Sequence, residues 1–192
     1  SEEPMAITTS DACTRLADIA DLILTHDRSI VRPVDDSVCC EEGGGLQTLR
    51  RARGFAPTPV PLDQPAPCIL AVGAHLKNTV ALSMGANVVV GSHVGDLDNT
   101  LSLDVHRRAI TDLLEFFDAE PEFIACDLHP DYASTQHAEQ LATVWNIPLF
   151  RIQHHHAHVL SAIAENALEG PVLGFAWDGT GYGSDGTIWG GE

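Results

Sequence analysis

Four of the chain's ten histidines fall within Gln153-His-His-His-Ala-His158, where a predicted strand gives way to a predicted helix. His154 and His158 stand four apart, so on a helix they share one side. Two neutral imidazoles one turn apart can both reach a single divalent cation at about 2.0–2.1 Å. His155 with His158, three apart, is a second geometric possibility; otherwise His155 and His156 are read as supporting or packing residues. The glutamate of a His-Glu-x-x-His protease is absent, which disfavours metal-activated peptide hydrolysis.

Other residue groups could join such a site. Asp178-Gly-Thr-Gly-Tyr-Gly-Ser-Asp-Gly186 puts a carboxylate at a predicted strand end. The bare backbone around Gly179, Thr180 and Gly181 can approach a phosphate or a metal closely, although a tight hairpin uses the same residues. Lys77, in Gly73-Ala-His-Leu-Lys-Asn-Thr79, is the chain's single lysine. Its ammonium suits a phosphate or a developing oxyanion, the alternative being a solvated hairpin lysine. His129-Pro-Asp-Tyr132 follows a strand and should line the carboxyl edge of a sheet, where open α/β sheets bind ligands. Arg50-Arg-Ala-Arg53 could hold a nucleotide phosphate or clamp two domains, and clamping is the favoured reading.

The elements that must position these residues follow from periodicity. Apolar residues from Ser10 to Leu24 recur at helical spacing behind Ser10 or Asp11 as cap. A short strand over 30–40 ends at Gly43-Gly44-Gly45, and the prolines at 57, 59, 61, 65 and 67 read as a stiff, extended connector. Three β-rich runs, 68–72, 79–84 and 87–91, then read as a meander. Helices at 101–117, 134–145 and 155–166 alternate with strands at 123–127, 148–152 and 172–177. The order βββαβαβα suits a mixed sheet with helices on its faces, and a glycine hairpin ends the chain. The 101–117 helix carries one apolar stripe, in which His106 is the lone polar member.

Composition narrows the function classes. Asp and Glu number 27 against 10 Lys and Arg, a net charge of -17, which repels nucleic-acid backbones and anionic lipid surfaces. No apolar stretch approaches the roughly 20 residues of a spanning helix, and Ser-Glu-Glu-Pro-Met lacks the plan of a signal peptide, so a cytoplasmic location is expected. Cys13, Cys39, Cys40, Cys68 and Cys126 contain no Cys-x-x-Cys pair and read as reduced thiols.

Taken in order, Val34-Asp-Asp-Ser37, Arg50-Arg-Ala-Arg-Gly54, Gly73 with Leu76-Lys-Asn-Thr79, Gly95-Asp-Leu97, Asp127-Leu-His-Pro-Asp-Tyr132, Gln153 to His158, Asp178 to Gly183 and Ile188-Trp-Gly-Gly-Glu192 resemble successive motifs of the HypF family, the carbamoyltransferases that mature nickel-iron hydrogenases. The resemblance covers essentially the whole chain. It implies an α/β fold, the first lobe of an actin-like, TsaD-like domain over 68–192, preceded by the α+β C-terminal part of a YrdC-like domain over 1–55 and the connector over 56–67.

By the same resemblance, ATP and carbamoyl phosphate yield a carbamoyl-adenylate. Its carbamoyl group passes to the C-terminal cysteine of a carrier protein, HypE, on the way to the cyanide ligands of the hydrogenase iron. His154 and His158 match metal-ligand histidines and Asp178 an acidic residue at the nucleotide site, the metal being iron or zinc. Lys77 and the Gly179-to-Gly183 turn are then expected to contact the ligand, and neither nucleic acid nor membrane is an expected partner. Ser1 to Pro4 resembles the loop after the family's adenylate-forming motifs. Those motifs, the acylphosphatase-like and zinc-finger parts and the second lobe have no counterpart here, so complete transfer by this chain alone is not expected. Cys39-Cys-Glu-Glu-Gly-Gly-Gly45 reads as a local insertion. The rival readings are a TsaD-like tRNA threonylcarbamoyltransferase, an O-carbamoyltransferase, and a non-catalytic metal-binding scaffold.

Overall fold

The computed structural model describes residues 5–192; the Ser1–Pro4 reading lies outside them. Its centre is a five-stranded mixed sheet built from β3 (Pro59–Ala66), β4 (Ile69–Ala71), β5 (Ala81–Val90), β6 (Phe123–Asp127) and β7 (Leu149–Ile152). The strand order is β3-β5-β4-β6-β7. The first three strands pair antiparallel, whereas β4, β6 and β7 run parallel. Helices α2 (Thr100–Phe117), α3 (Ala133–Trp145) and α4 (His154–Glu165) alternate with the parallel strands, which reproduces the expected βββαβαβα order.

Side chains alternate across a sheet, and the register here sorts them sharply. Leu70 lies opposite Leu82 and Ile124, and all three are fully buried with Ile110 and Leu113 of α2 and Ala138 of α3. One residue on, Ala71 lies opposite Ala81 and Ala125, so a row of methyl groups paves the other face. A cleft over that row is walled by His154, Ala157, His158 and Ser161 of α4. Bulky residues therefore weld α2 and α3 to one face. Small ones leave open space beneath α4.

Helix α2 starts in a reciprocal capping box between Asn99 and Ser102 and ends on Asp118 in the left-handed region. His106, the polar member of its stripe, is buried and donates from Nε2 to the Val72 carbonyl at 2.9 Å, just beyond the end of β4. Burial lowers its pKa, so it sits in the core as a neutral imidazole.

Several expected elements form differently. The proline-rich segment is extended, but it is the edge strand β3, where a missing N–H costs no ladder bond on the solvent side. The runs at 79–84 and 87–91 are one strand, β5, passing through Gly85 at positive φ. Three strands still precede α2 because β3 replaces the third arm of the meander. The glycine triplet turns a hairpin between β1 (Val38–Glu42) and β2 (Gly45–Arg50), with Gly43 and Gly44 both at positive φ, instead of ending a strand over 30–40.

Helix α1 spans only Thr9–Arg15 behind Thr8 as cap and buries no residue. Ile19, Leu22 and Leu24 are exposed and Ala20 and Ile23 only partly buried, so the apolar stripe past Leu16 gains too little packing to hold a longer helix. The run 172–177 is likewise no strand. Without a ladder partner among the described residues, Leu173, Phe175 and Trp177 remain 84%, 64% and 87% exposed.

The arginine patch clamps, but within its own segment. Arg50 pairs with Asp35 at 3.1 Å and Arg53 with Asp36 at 2.6 Å, while the Ser37 hydroxyl accepts from Ala52 N–H and donates to the Arg53 carbonyl. Arg51 reaches the other way, to the Thr58 carbonyl at the foot of β3. No helix among the described residues is long and apolar enough to cross a membrane.

Candidate functional site

The parallel strands β6 and β7 end together, Asp127 opposite Ile152, at the edge where α4 begins. Gln153 caps that helix: its Oε1 accepts from the His156 backbone N–H at 2.9 Å. The cap sets the first turn so that His154 faces Asp127 and, one turn later, His158 stands on the same side.

His154 is locked from behind. Its Nδ1 lies 2.6 Å from Asp127 Oδ2, a carboxylate that is itself buried, so Nδ1 carries the proton and Nε2 points outward. Around Nε2 gather His158 Nε2 at 3.2 Å and Asp178 Oδ2 at 2.9 Å, with His158 Nε2 and Asp178 Oδ2 3.8 Å apart. A tetrahedral ion about 2.0–2.1 Å from each donor requires donors about 3.3–3.4 Å apart, and the three observed separations bracket that value. Two imidazoles and one carboxylate, with a carboxylate behind the more buried imidazole, are a donor set for iron or zinc. The residues thus fit a divalent metal.

The hydrogen bond that His154 donates to Asp127 raises the His154 pKa, with the Asp178 charge adding to it and burial opposing it. An ion would have to displace the Nε2 proton.

His155 is excluded as a ligand on the same hydrogen-bond logic. Because Gln153 Oε1 is occupied, its amide NH2 faces His155 Nδ1 at 3.1 Å and donates to it, which leaves the His155 proton on Nε2. Adjacent histidines are therefore held in opposite tautomers. His155 is 4% exposed and stands outside the convergent group, which contains the pair four apart. His156 faces solvent.

Asp178 begins a hairpin with β8 (Gly181–Tyr182) and β9 (Ile188–Trp189). A Cβ at Gly181 would stand 2.6 Å from His155 Cε1, whereas one at Gly179 would meet nothing. Gly181 is bare so that the hairpin can lie against α4. Gly181→Ala is expected to cost about 1–3 kcal/mol of stability and Gly179→Ala almost none, a contrast that chemical denaturation of both variants will measure. Asp185 staples the far end through Thr187 and Trp189. Thr180 and Gly179 are exposed beside Asp178.

The cleft beside the cluster has a volume of about 410 Å³, within the range of small-molecule sites, and is lined by Gly73, Ala74 and Thr79 opposite α4. Asn78 braces that loop by donating to the Val72 and Ala74 carbonyls. Lys77 stands in the same loop at positive φ, its backbone N–H bonded to Asp96, but it is not among the lining residues and its ammonium makes no ion pair among the described residues. The structure gathers His154, His158 and Asp178 and leaves Lys77 on the rim. The residue the sequence reading passed over is Asp127. Its sequence signals are an acid closing an otherwise apolar strand and its place at the head of Asp127-Leu-His-Pro-Asp-Tyr132.

A family model described as the HypF Kae1-like domain matches residues 64–165, just over half of the chain. The carbamoyltransferase HypF of Rhizobium leguminosarum bv. viciae is 47% identical over 99% of this chain and 24% of its own length. The probable carbamoyltransferase HypF of Methanocaldococcus jannaschii is 37% identical over 98% and 25%. A crystal structure of full-length HypF in its phosphate- and nucleotide-bound form superposes with a TM-score of 0.92 at 42% identity, over all of this chain and 30% of that one. The chain spans about a quarter of the length of the curated relatives it matches.

Proposed function

The chain belongs to the HypF carbamoyltransferase family, and from that premise we propose that it carries the metal-binding part of an ATP-dependent carbamoyl-transfer site. Residues 68–192 are its TsaD-like portion, 56–67 the lead-in and 1–55 the end of a YrdC-like domain. The observation that carries the reading is the convergence of His154 Nε2, His158 Nε2 and Asp178 Oδ2 at a sheet end that opens into a cleft of about 410 Å³.

In this reading His154, His158 and Asp178 hold iron or zinc, which supplies Lewis acidity toward negative charge developing on the phosphate or carbamoyl group. Asp127 fixes the His154 tautomer. The Gly179–Gly183 turn offers backbone N–H groups to the nucleotide phosphates, and Lys77 swings in from the rim to add a positive charge. The Ala71, Ala81 and Ala125 floor leaves room for the ligand. The carbamoyl group, drawn from carbamoyl phosphate by way of carbamoyl-adenylate, passes to the C-terminal cysteine thiolate of the carrier HypE, and the freed nucleotide departs.

The test is a chimera in which this chain replaces the matching quarter of the Rhizobium leguminosarum relative, supplied with labelled carbamoyl phosphate, ATP and the carrier. Label is expected on the carrier cysteine, and Asp178→Asn is expected to reduce it about 100-fold or more. A folded chimera that labels nothing sinks the functional reading. Undiminished labelling by Asp178→Asn sinks the site, and unchanged nucleotide affinity in Lys77→Ala removes Lys77 from it.

A further inference from the structure

The hairpin that carries Asp178 has little backbone holding it in place. Strands β8 and β9 are two residues each and pair only with one another. The run before them makes no ladder; Ala176 N–H reaches the Glu192 carbonyl and ties the hairpin's two arms together. Yet Asp178 must be set to a few tenths of an ångström for three donors to share one ion. Something in the side chains has to supply that precision.

A ladder of rings runs to the hairpin from the sheet end. His75, in the loop after β4, is anchored by Asp98 at 2.8 Å and stacks on Tyr132 with centroids 5.4 Å apart. Tyr132 stacks on His129 at 4.1 Å, the two planes within 4° of parallel. His129 meets Tyr182 of β8 at 5.4 Å. The middle of the ladder is tied to the cluster's own support, since His129 N–H donates to the Asp127 oxygen that His154 does not use.

We propose that His75, Tyr132, His129 and Tyr182 form a brace that seats the Asp178 hairpin, and that Tyr132 is a positioning residue for the His154–His158–Asp178 cluster. The inference rests on the metal reading above for its purpose but not for its existence. Burial, with Asp127 and Asp178 nearby, pushes the Tyr132 phenol up, so the ring is neutral and acts through its face.

Hydrogen exchange read by mass spectrometry on the 192-residue chain tests the brace without any metal. Tyr132→Ala is expected to speed exchange across 178–190 about tenfold while the β4–β6 peptides stay unchanged. In a separate zinc titration it is expected to weaken binding about 10–100-fold. Tyr132→Phe, which keeps the ring, is expected to restore both. Unchanged hairpin exchange in Tyr132→Ala overturns the brace, and a Phe variant as damaged as the Ala variant shows that the hydroxyl, not stacking, matters, which overturns it too. A loosened hairpin with undiminished zinc affinity overturns the positioning role. Failure of the parent chain to bind zinc overturns the metal reading instead. Should Tyr132→Ala unfold, His129→Ala interrupts the same ladder one ring later and is read the same way.

Discussion

Replacing His154 and His158 together with alanine is expected to strip the chain of metal. The parent should carry near-stoichiometric iron or zinc by plasma mass spectrometry, and the double variant should carry background amounts, with zinc affinity lower by at least about 100-fold. His156→Ala is the matched control, because His156 faces solvent beside the cluster. Metal retained in the double variant would move the site elsewhere. Metal absent from both would leave the histidines with a purely structural role.

The same experiment carries a pH signature. The raised pKa of His154 means that, without metal, its protonation stabilises the fold. That contribution is fully present below the ordinary histidine value of about 6.5 and is lost as pH rises through the folded-state pKa. Metal binding runs the other way. The ion must displace the Nε2 proton, so affinity should fall as pH drops through the raised pKa, and the fall should set in at higher pH in the parent than in any variant lacking Asp127.

The parallel half of the fold was legible because helix and strand periods differ cleanly there. The strand at 123–127 forms at those residues, and α3 and α4 begin within one residue of their expected starts. Elements whose formation depends on a distant partner were not legible. A proline-rich stretch reads as a linker until β5 pairs with it, and 172–177 reads as a strand although no strand ladder forms on it among the described residues. The site divides in the same way. His154 and His158 announce themselves by spacing, and Asp178 by its glycines, because both signals are local. Asp127 lies 27 positions before His154 and becomes its partner only through the parallel pairing of β6 with β7. His155 could not be set aside from spacing alone either, since its exclusion depends on which way the Gln153 amide points.

Asp127→Asn therefore isolates what local sequence could not show, and its effect follows from counting donors and acceptors. In the native chain the carboxylate accepts twice, from His129 N–H at 2.8 Å on Oδ1 and from His154 Nδ1–H at 2.6 Å on Oδ2. An asparagine of the same shape has one acceptor and one donating amide. If its oxygen faces His129, the NH2 faces His154 Nδ1 and forces the proton onto Nε2, the atom that must be bare to bind an ion. If its oxygen faces His154, two N–H groups confront each other in a buried site, which costs about 1–3 kcal/mol. Either way metal affinity should fall about 10–100-fold, although Asp127 is no ligand itself. The raised His154 pKa should fall back, removing the extra stability at acidic pH, which a denaturation series from acid to neutral pH will read. Nitrogen-15 shifts of His154 will separate the two rearrangements, because only the first changes the tautomer. An Asn variant with native zinc affinity and a native His154 titration would mean that Asp127 merely fills space, and that the cluster is oriented by Gln153 and the helix alone.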